Sequence, residues 1–144
     1  MAASIETDVA FQRCISPLCG ATYGVDEVHT SCPACGNLLD IAYDGDRSRP
    51  PSSFEHFETK WMRRSDPVAF SGVWRFHELL PFAPRESIVT IGEGQTLLSV
   101  ADSVGGFVGV RPGRLHLQYE GLNPSGSFKD NGMSAAFTHA RMIG

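Results

Sequence analysis

Apolar residues in this chain come in short blocks whose spacing changes from segment to segment. Leu115, Leu117 and Tyr119 alternate with polar neighbours, which predicts a strand over 115–119 with those three on one side. Met133, Ala136, Phe137 and Ala140 recur at helical intervals and predict a helix with that stripe buried. Between the two lies a Gly/Pro/Ser-rich loop in which Ser127 is placed as an N-cap, and Asp130, three residues on, completes a capping-box pattern. Strand, loop and helix in that order are half of a βαβ unit, so the predicted fold class is α/β.

Upstream, Phe11–Cys14 and Leu38–Tyr43 read as short strands. Residues 44–53 are polar and Pro-rich, as in a linker. Residues 54–64 carry Phe54, Phe57, Trp61 and Met62 at helical spacing. Ser71 can cap a short helix bearing Val73, Phe76, His77 and Leu80 on one face and ended by Pro81, with Trp74 and Phe76 in the core. Ile88–Ile91 reads as a compact strand running into a Gly92-Glu-Gly94 turn, where Glu93 is expected to be solvated. Gly105-Gly106 and Arg111-Pro-Gly113 read as further breaks. This divides the chain into a ribbon-like segment (1–43), a linker with a helical adaptor (44–70), and the first part of an α/β domain (71–144).

Composition narrows the function. An apolar fraction of 42% is enough for a core, and net charge −4 with pI near 5.7 gives no electrostatic case for nucleic acid or an anionic membrane. No apolar run approaches the roughly 20 residues of a membrane span. The first residues lack a basic region followed by an apolar one, so a cytoplasmic protein is expected. The last helical pattern runs to Gly144 with nothing beyond it to cover the preceding strand, and the chain is expected to be a fragment of a longer protein.

All four cysteines lie in the ribbon segment, as Cys14-x4-Cys19 and Cys32-x2-Cys35. Close thiolates followed by Gly form knuckles, and two knuckles joined by a hairpin place four sulfurs around one tetrahedral ion. Structural zinc on Cys14, Cys19, Cys32 and Cys35 is the expectation; buried or disulfide-bonded cysteines are the alternative, and His29 is a possible substitute ligand.

Lysine is scarce, with Lys60 and Lys129 the only two. Lys129 stands at the start of the predicted helix. An amine at the positive end of a helix dipole, partly shielded from water, is biased toward the neutral form that attacks a carbonyl. A surface lysine paired with Asp130 is the plainer reading.

The surrounding Gly121-Leu-Asn-Pro-Ser-Gly-Ser-Phe-Lys-Asp-Asn-Gly-Met133 closely resembles the pyridoxal-phosphate lysine loop of threonine synthases, within the tryptophan-synthase-β-like (fold type II) enzymes. Ser71-Gly-Val-Trp-Arg-Phe-His-Glu-Leu-Leu-Pro81 and Ile91-Gly-Glu-Gly-Gln-Thr-Leu97 are similar to further segments of that family, and the cysteine ribbon is similar to one many of its members carry. The resemblance implies a fold type II domain preceded by a zinc ribbon. It implies pyridoxal 5'-phosphate (PLP) held through the amine of Lys129, which then carries protons. Phe128 would pack near the cofactor ring, Asn123, Ser125 and Ser127 would shape the loop, and Asp130 would hold the helix start. The implied substrate is O-phospho-L-homoserine, the products are L-threonine and phosphate, and the full-length protein is implied to be a homodimer.

The sequence departs from the family pattern at Asn131, where Arg is usual, and at Leu97, where Pro is usual. The family's later cofactor-phosphate segments do not occur before Gly144, so the fragment alone is expected to be inactive. Cysteate synthase, threonine dehydratase and cysteine synthase share the same lysine-loop logic. A zinc-ribbon protein with a degenerate, non-catalytic domain is the alternative from another class.

Overall fold

A computed structural model describes residues 9–144. Strands β1 (Ala10–Cys14), β2 (Thr22–Gly24) and β3 (Leu39–Tyr43) form an antiparallel sheet in the order β2-β1-β3. Along β1, Ala10, Gln12 and Cys14 turn inward while Arg13 stays exposed, the period of two that a half-buried strand requires. Gln12 is buried at no loss, because its amide donates to the carbonyls of Gly24 (2.6 Å) and Glu27 (2.8 Å).

After the turns of 44–53, α1 (Glu55–Trp61) buries Phe57 but leaves Phe54 and Met62 exposed. A short α2 (Pro67–Phe70) follows, which the apolar pattern did not predict. Its signal was Asp66-Pro67: the Asp66 carboxylate accepts from the Val68 and Ala69 N–H groups, and Pro at the first helical position loses no hydrogen bond. The Ser71 Oγ accepts from Trp74 N–H (2.8 Å) and Val73 N–H (3.2 Å), but the turn that follows is 3-10 (Trp74–Leu79) with Val73 at its N-cap, so Ser71 lies two residues outside the expected cap position.

Trp74 is fully buried in a core with Ala83 and Ile88, against which Val68, Phe82, Ala135 and Met142 pack. Its indole N–H donates to the Val89 carbonyl at 3.0 Å. That contact explains why Ile88–Ile91 is not the expected strand. The backbone of Val89 is engaged by side chains instead: its N–H donates to Thr138 Oγ1 at 2.8 Å while its carbonyl takes the indole. The two-stranded sheet lies further on, with β4 (Leu97–Val100) antiparallel to β5 (His116–Tyr119), Leu97 opposite Tyr119. A short α3 (Asp102–Phe107) occupies the connection where the glycine pair read as a break. Both strands are exposed along their whole length.

The last helix, α4 (Lys129–Ile143), exists where expected but is turned the other way. Met133, Ala136, Phe137 and Ala140 are all exposed. The buried face is Asp130, Ser134 and Thr138, one residue per turn, facing the Glu93 turn and the 88–91 segment. His139 ties the helix to the ribbon through a 2.6 Å contact with the Val25 carbonyl. Among the described residues no helix is long and apolar enough to cross a membrane.

Candidate metal centre and lysine loop

The end of β1 and the β1–β2 and β2–β3 connections bring the four cysteine sulfurs within 4.8 Å of one another. Cys14 and Cys35 sulfurs are 3.4 Å apart, and Cys19 and Cys32 sulfurs 3.7 Å. A tetrahedron with Zn–S bonds of about 2.3 Å has edges of about 3.8 Å, so the set fits a single zinc ion. No disulfide is formed. His29 is not part of the group; its ring meets Glu27 at 3.0 Å and packs edge-on to Tyr23.

Donors surround the sulfurs. Tyr23 OH lies 3.4 Å from Cys32 Sγ, Asn37 Nδ2 donates to Cys35 at 3.3 Å and Ser16 N–H to Cys14 at 3.4 Å. The Tyr23 hydroxyl pulls the Cys32 thiol down to about 6, while Cys32 in turn pushes the Tyr23 phenol up to about 12, so the phenol remains the donor. The Ser16 N–H pulls the Cys14 thiol down, but burial and the neighbouring sulfurs outweigh it and push it up to about 12. Tyr23 and Asn37 were not singled out from the sequence, since nothing in their spacing marks them as thiolate donors.

The lysine loop is built from both ends. Gly126 adopts φ +77°, a left-handed turn that glycine enters without a Cβ clash. The capping box between Ser127 and Asp130 does not form. Asp130 reaches back instead, accepting from Ser125 N–H at 2.8 Å and from the Ser125 hydroxyl, and it is buried. Ser127 Oγ accepts from Lys129 N–H at 3.2 Å. The 126–127 turn keeps Ser127 one residue too far out to cap the third N–H of α4.

Lys129 Nζ is exposed, 4.6 Å from the centre of the Phe128 ring, and makes no hydrogen bond or ion pair among the described residues. The expected partial shielding is absent, because nothing among the described residues covers this face; the plain pairing with Asp130 is absent too, since Ser125 holds that carboxylate. Phe128 is exposed beside the amine, where a ring could stack. Asn123 lies apart from it and is buried. Its Oδ1 accepts from Gly94 N–H (2.8 Å), and its Nδ2 donates to the Glu120 carbonyl (3.0 Å) and carboxylate (2.7 Å). Asn131 also points toward Glu120, at 3.4 Å.

Asn123 joins the loop to the Gly92–Gly94 turn, where the sequence reading was wrong about Glu93. This carboxylate is completely buried rather than solvated. It accepts from the Ser71 hydroxyl, from Thr90 Oγ1 at 2.8 Å and from Ile91 N–H at 3.1 Å. Burial pushes its carboxyl up, but these hydrogen bonds outweigh that and hold it below the usual range. Gly94 must be glycine: φ is +83°, and a Cβ there would sit 2.6 Å from Gly72 Cα.

These parts define a mixed α/β protein with a four-cysteine cluster able to hold a metal ion and a lysine amine at the first turn of a helix. No family model matches the chain. By sequence it is a homologue of the threonine synthases. It is 38% identical to the threonine synthase of Methanocaldococcus jannaschii over 133 residues, 92% of this chain and 29% of that protein. It is likewise 38% identical to that of Methanosarcina acetivorans over 132 residues, 92% of this chain and 28% of that protein. A shorter match, 42% identical over 65 residues, joins it to the threonine synthase of Mycobacterium bovis, covering 45% of this chain and 17% of that protein. The chain therefore spans less than a third of the length of these relatives.

Proposed function

We propose that this chain is the lysine-bearing part of a PLP-dependent threonine synthase of fold type II, which converts O-phospho-L-homoserine and water to L-threonine and phosphate. The observation that carries this reading is the unpaired amine of Lys129, in a loop fixed by Asp130 and Asn123, within a chain 38% identical to named threonine synthases over 92% of its length. When bound, PLP supplies the electron sink that lets protons leave Cα and Cβ of the substrate. Lys129 would hold the cofactor and carry protons at Cα and Cβ of the substrate. Phe128 offers its ring face beside the amine. Asn123 and Asp130 act indirectly, by fixing the backbone on either side of Lys129. Ser127 orients the Lys129 N–H. Zinc on Cys14, Cys19, Cys32 and Cys35 is structural, because four thiolates leave no open position. In this reading the 71–144 region is the beginning of the catalytic domain, 1–43 the ribbon and 44–70 the connection. The exposed stripe of α4 is then covered by the remaining length of a cytoplasmic homodimer.

Borohydride reduction of the full-length protein with PLP, followed by peptide mapping, tests the lysine. An adduct on Lys129, lost in Lys129→Ala together with phosphate release from phosphohomoserine, is expected. An adduct on Lys60 or on no lysine refutes the reading. Turnover of phosphoserine with sulfite, or of threonine, in place of phosphohomoserine moves the protein to another member of the same enzyme group.

A further inference from the structure

The groove between α1 and the 3-10 turn of 74–79 belongs to neither site above. It measures about 460 Å³ and is lined by Phe54, Phe57, Glu58, Trp61, Arg75 and Phe76, within the size range of small-molecule sites. Its walls are aromatic: the Phe57 and Phe76 ring centres are 5.0 Å apart, and those of Phe54 and Phe76 5.9 Å. The Arg75 guanidinium sits 4.3 Å from the Trp61 ring centre and 4.8 Å from that of Phe76.

A guanidinium keeps its charge and offers five N–H donors. Here none of them meets an acceptor: Nε is buried without a partner, and the side chain forms no hydrogen bond or ion pair among the described residues. Burial already works against its charge. The buried Nε is a donor with no acceptor, which costs stability unless a ligand supplies one. The nearby Glu78 carboxylate does not supply one, since it already meets Lys60 and His56. Glu58, which also lines the groove, is exposed and has no partner among the described residues. A simple carboxylate would satisfy Arg75 and be repelled by Glu58. A simple amine would do the reverse. A zwitterion satisfies both.

We propose that this groove binds a free α-amino acid with an apolar side chain, its carboxylate on Arg75, its ammonium on Glu58 and its side chain against Phe57, Trp61 and Phe76. The site is separate from Lys129 and does not depend on the activity proposed for it.

Calorimetric titration of the full-length protein with L-phenylalanine, 3-phenylpropionate and phenethylamine tests this. L-Phenylalanine is expected to bind saturably at one site per chain in the wild type and in Lys129→Ala, with both half-molecules weaker by at least about tenfold, the loss of one charged hydrogen bond. Glu58→Gln, on the exposed face of α1, and Arg75→Met are each expected to weaken L-phenylalanine by a similar factor. If Arg75→Met does not fold, Glu58→Gln alone decides. Absence of saturable heat, equal binding of either half-molecule, unchanged binding in Glu58→Gln, or binding lost in Lys129→Ala overturns the proposal.

Discussion

Replacing Glu93 with Gln tests whether a buried carboxylate organises the turn behind the lysine loop. The wild-type carboxylate accepts from two hydroxyls and one N–H. A Gln carbonyl can keep Thr90 and Ile91, but its NH2 then faces Ser71 Oγ, which already accepts from the Trp74 and Val73 N–H groups and has no lone pair to spare. One charge-assisted bond is lost and two become neutral, a loss of ~2–4 kcal/mol, partly offset by no longer burying a charge, so a net cost of ~2 kcal/mol is expected at pH 7. Hydrogen exchange at the Trp74 and Gly94 amides should then speed up by about 30-fold where opening is local. The pH dependence has a definite sign. The folded carboxyl is held below its unfolded value, so its contribution is complete above the ordinary Glu value of about 4.3 and is lost as pH falls through the folded one. The gap between wild type and Glu93→Gln must therefore shrink in acid. A cost under about 0.5 kcal/mol at pH 7, or a gap that stays constant down to acid unfolding, refutes the reasoning.

Four further outcomes follow from the same geometry. Gly94→Ala drives a Cβ to 2.6 Å from Gly72 Cα at a positive φ and should cost about 3 kcal/mol or more in urea unfolding; an unchanged midpoint would mean the two backbones do not touch. Thr138→Val leaves the Val89 N–H without its 2.8 Å partner and should cost ~1–3 kcal/mol, with Thr138→Ser close to wild type; equal stabilities for all three would discount the bond. The ribbon should hold one zinc ion per chain by elemental analysis, and chelation should abolish exchange protection along β1. Tyr23→Phe, which removes the hydroxyl beside Cys32, should weaken zinc by about tenfold; a ribbon that stays protected without metal refutes the structural role.

The ribbon was legible because four cysteines at knuckle spacing leave few ways to fold, and the flanking strands follow from that constraint. The position of the lysine loop was legible as well: a Gly126 turn and a helical pattern after it fix where α4 starts to within two residues. What apolar spacing could not supply was the identity of the neighbour. Met133 and Phe137 mark a face suited to burial, yet the face in use is Asp130, Ser134 and Thr138. Small polar residues win there because the 88–94 segment presents backbone groups and a carboxylate, which need hydrogen-bond partners more than they need contact with a ring. The same bonds made 88–91 unreadable as irregular backbone, since Thr138 lies 49 residues away in sequence. Glu93 was misread for a related reason: a charged residue between glycines is normally solvated, and only Ser71, 22 residues earlier, reveals the pocket that holds it. Helix α4 therefore answers two different demands, one polar face clamping the Glu93 turn and one apolar face left outward. A helix suited to burial on both sides is an interior helix. On the proposed function, the clamp keeps the first turn of α4, and Lys129 with it, fixed in direction, while the outward face docks on the rest of the enzyme.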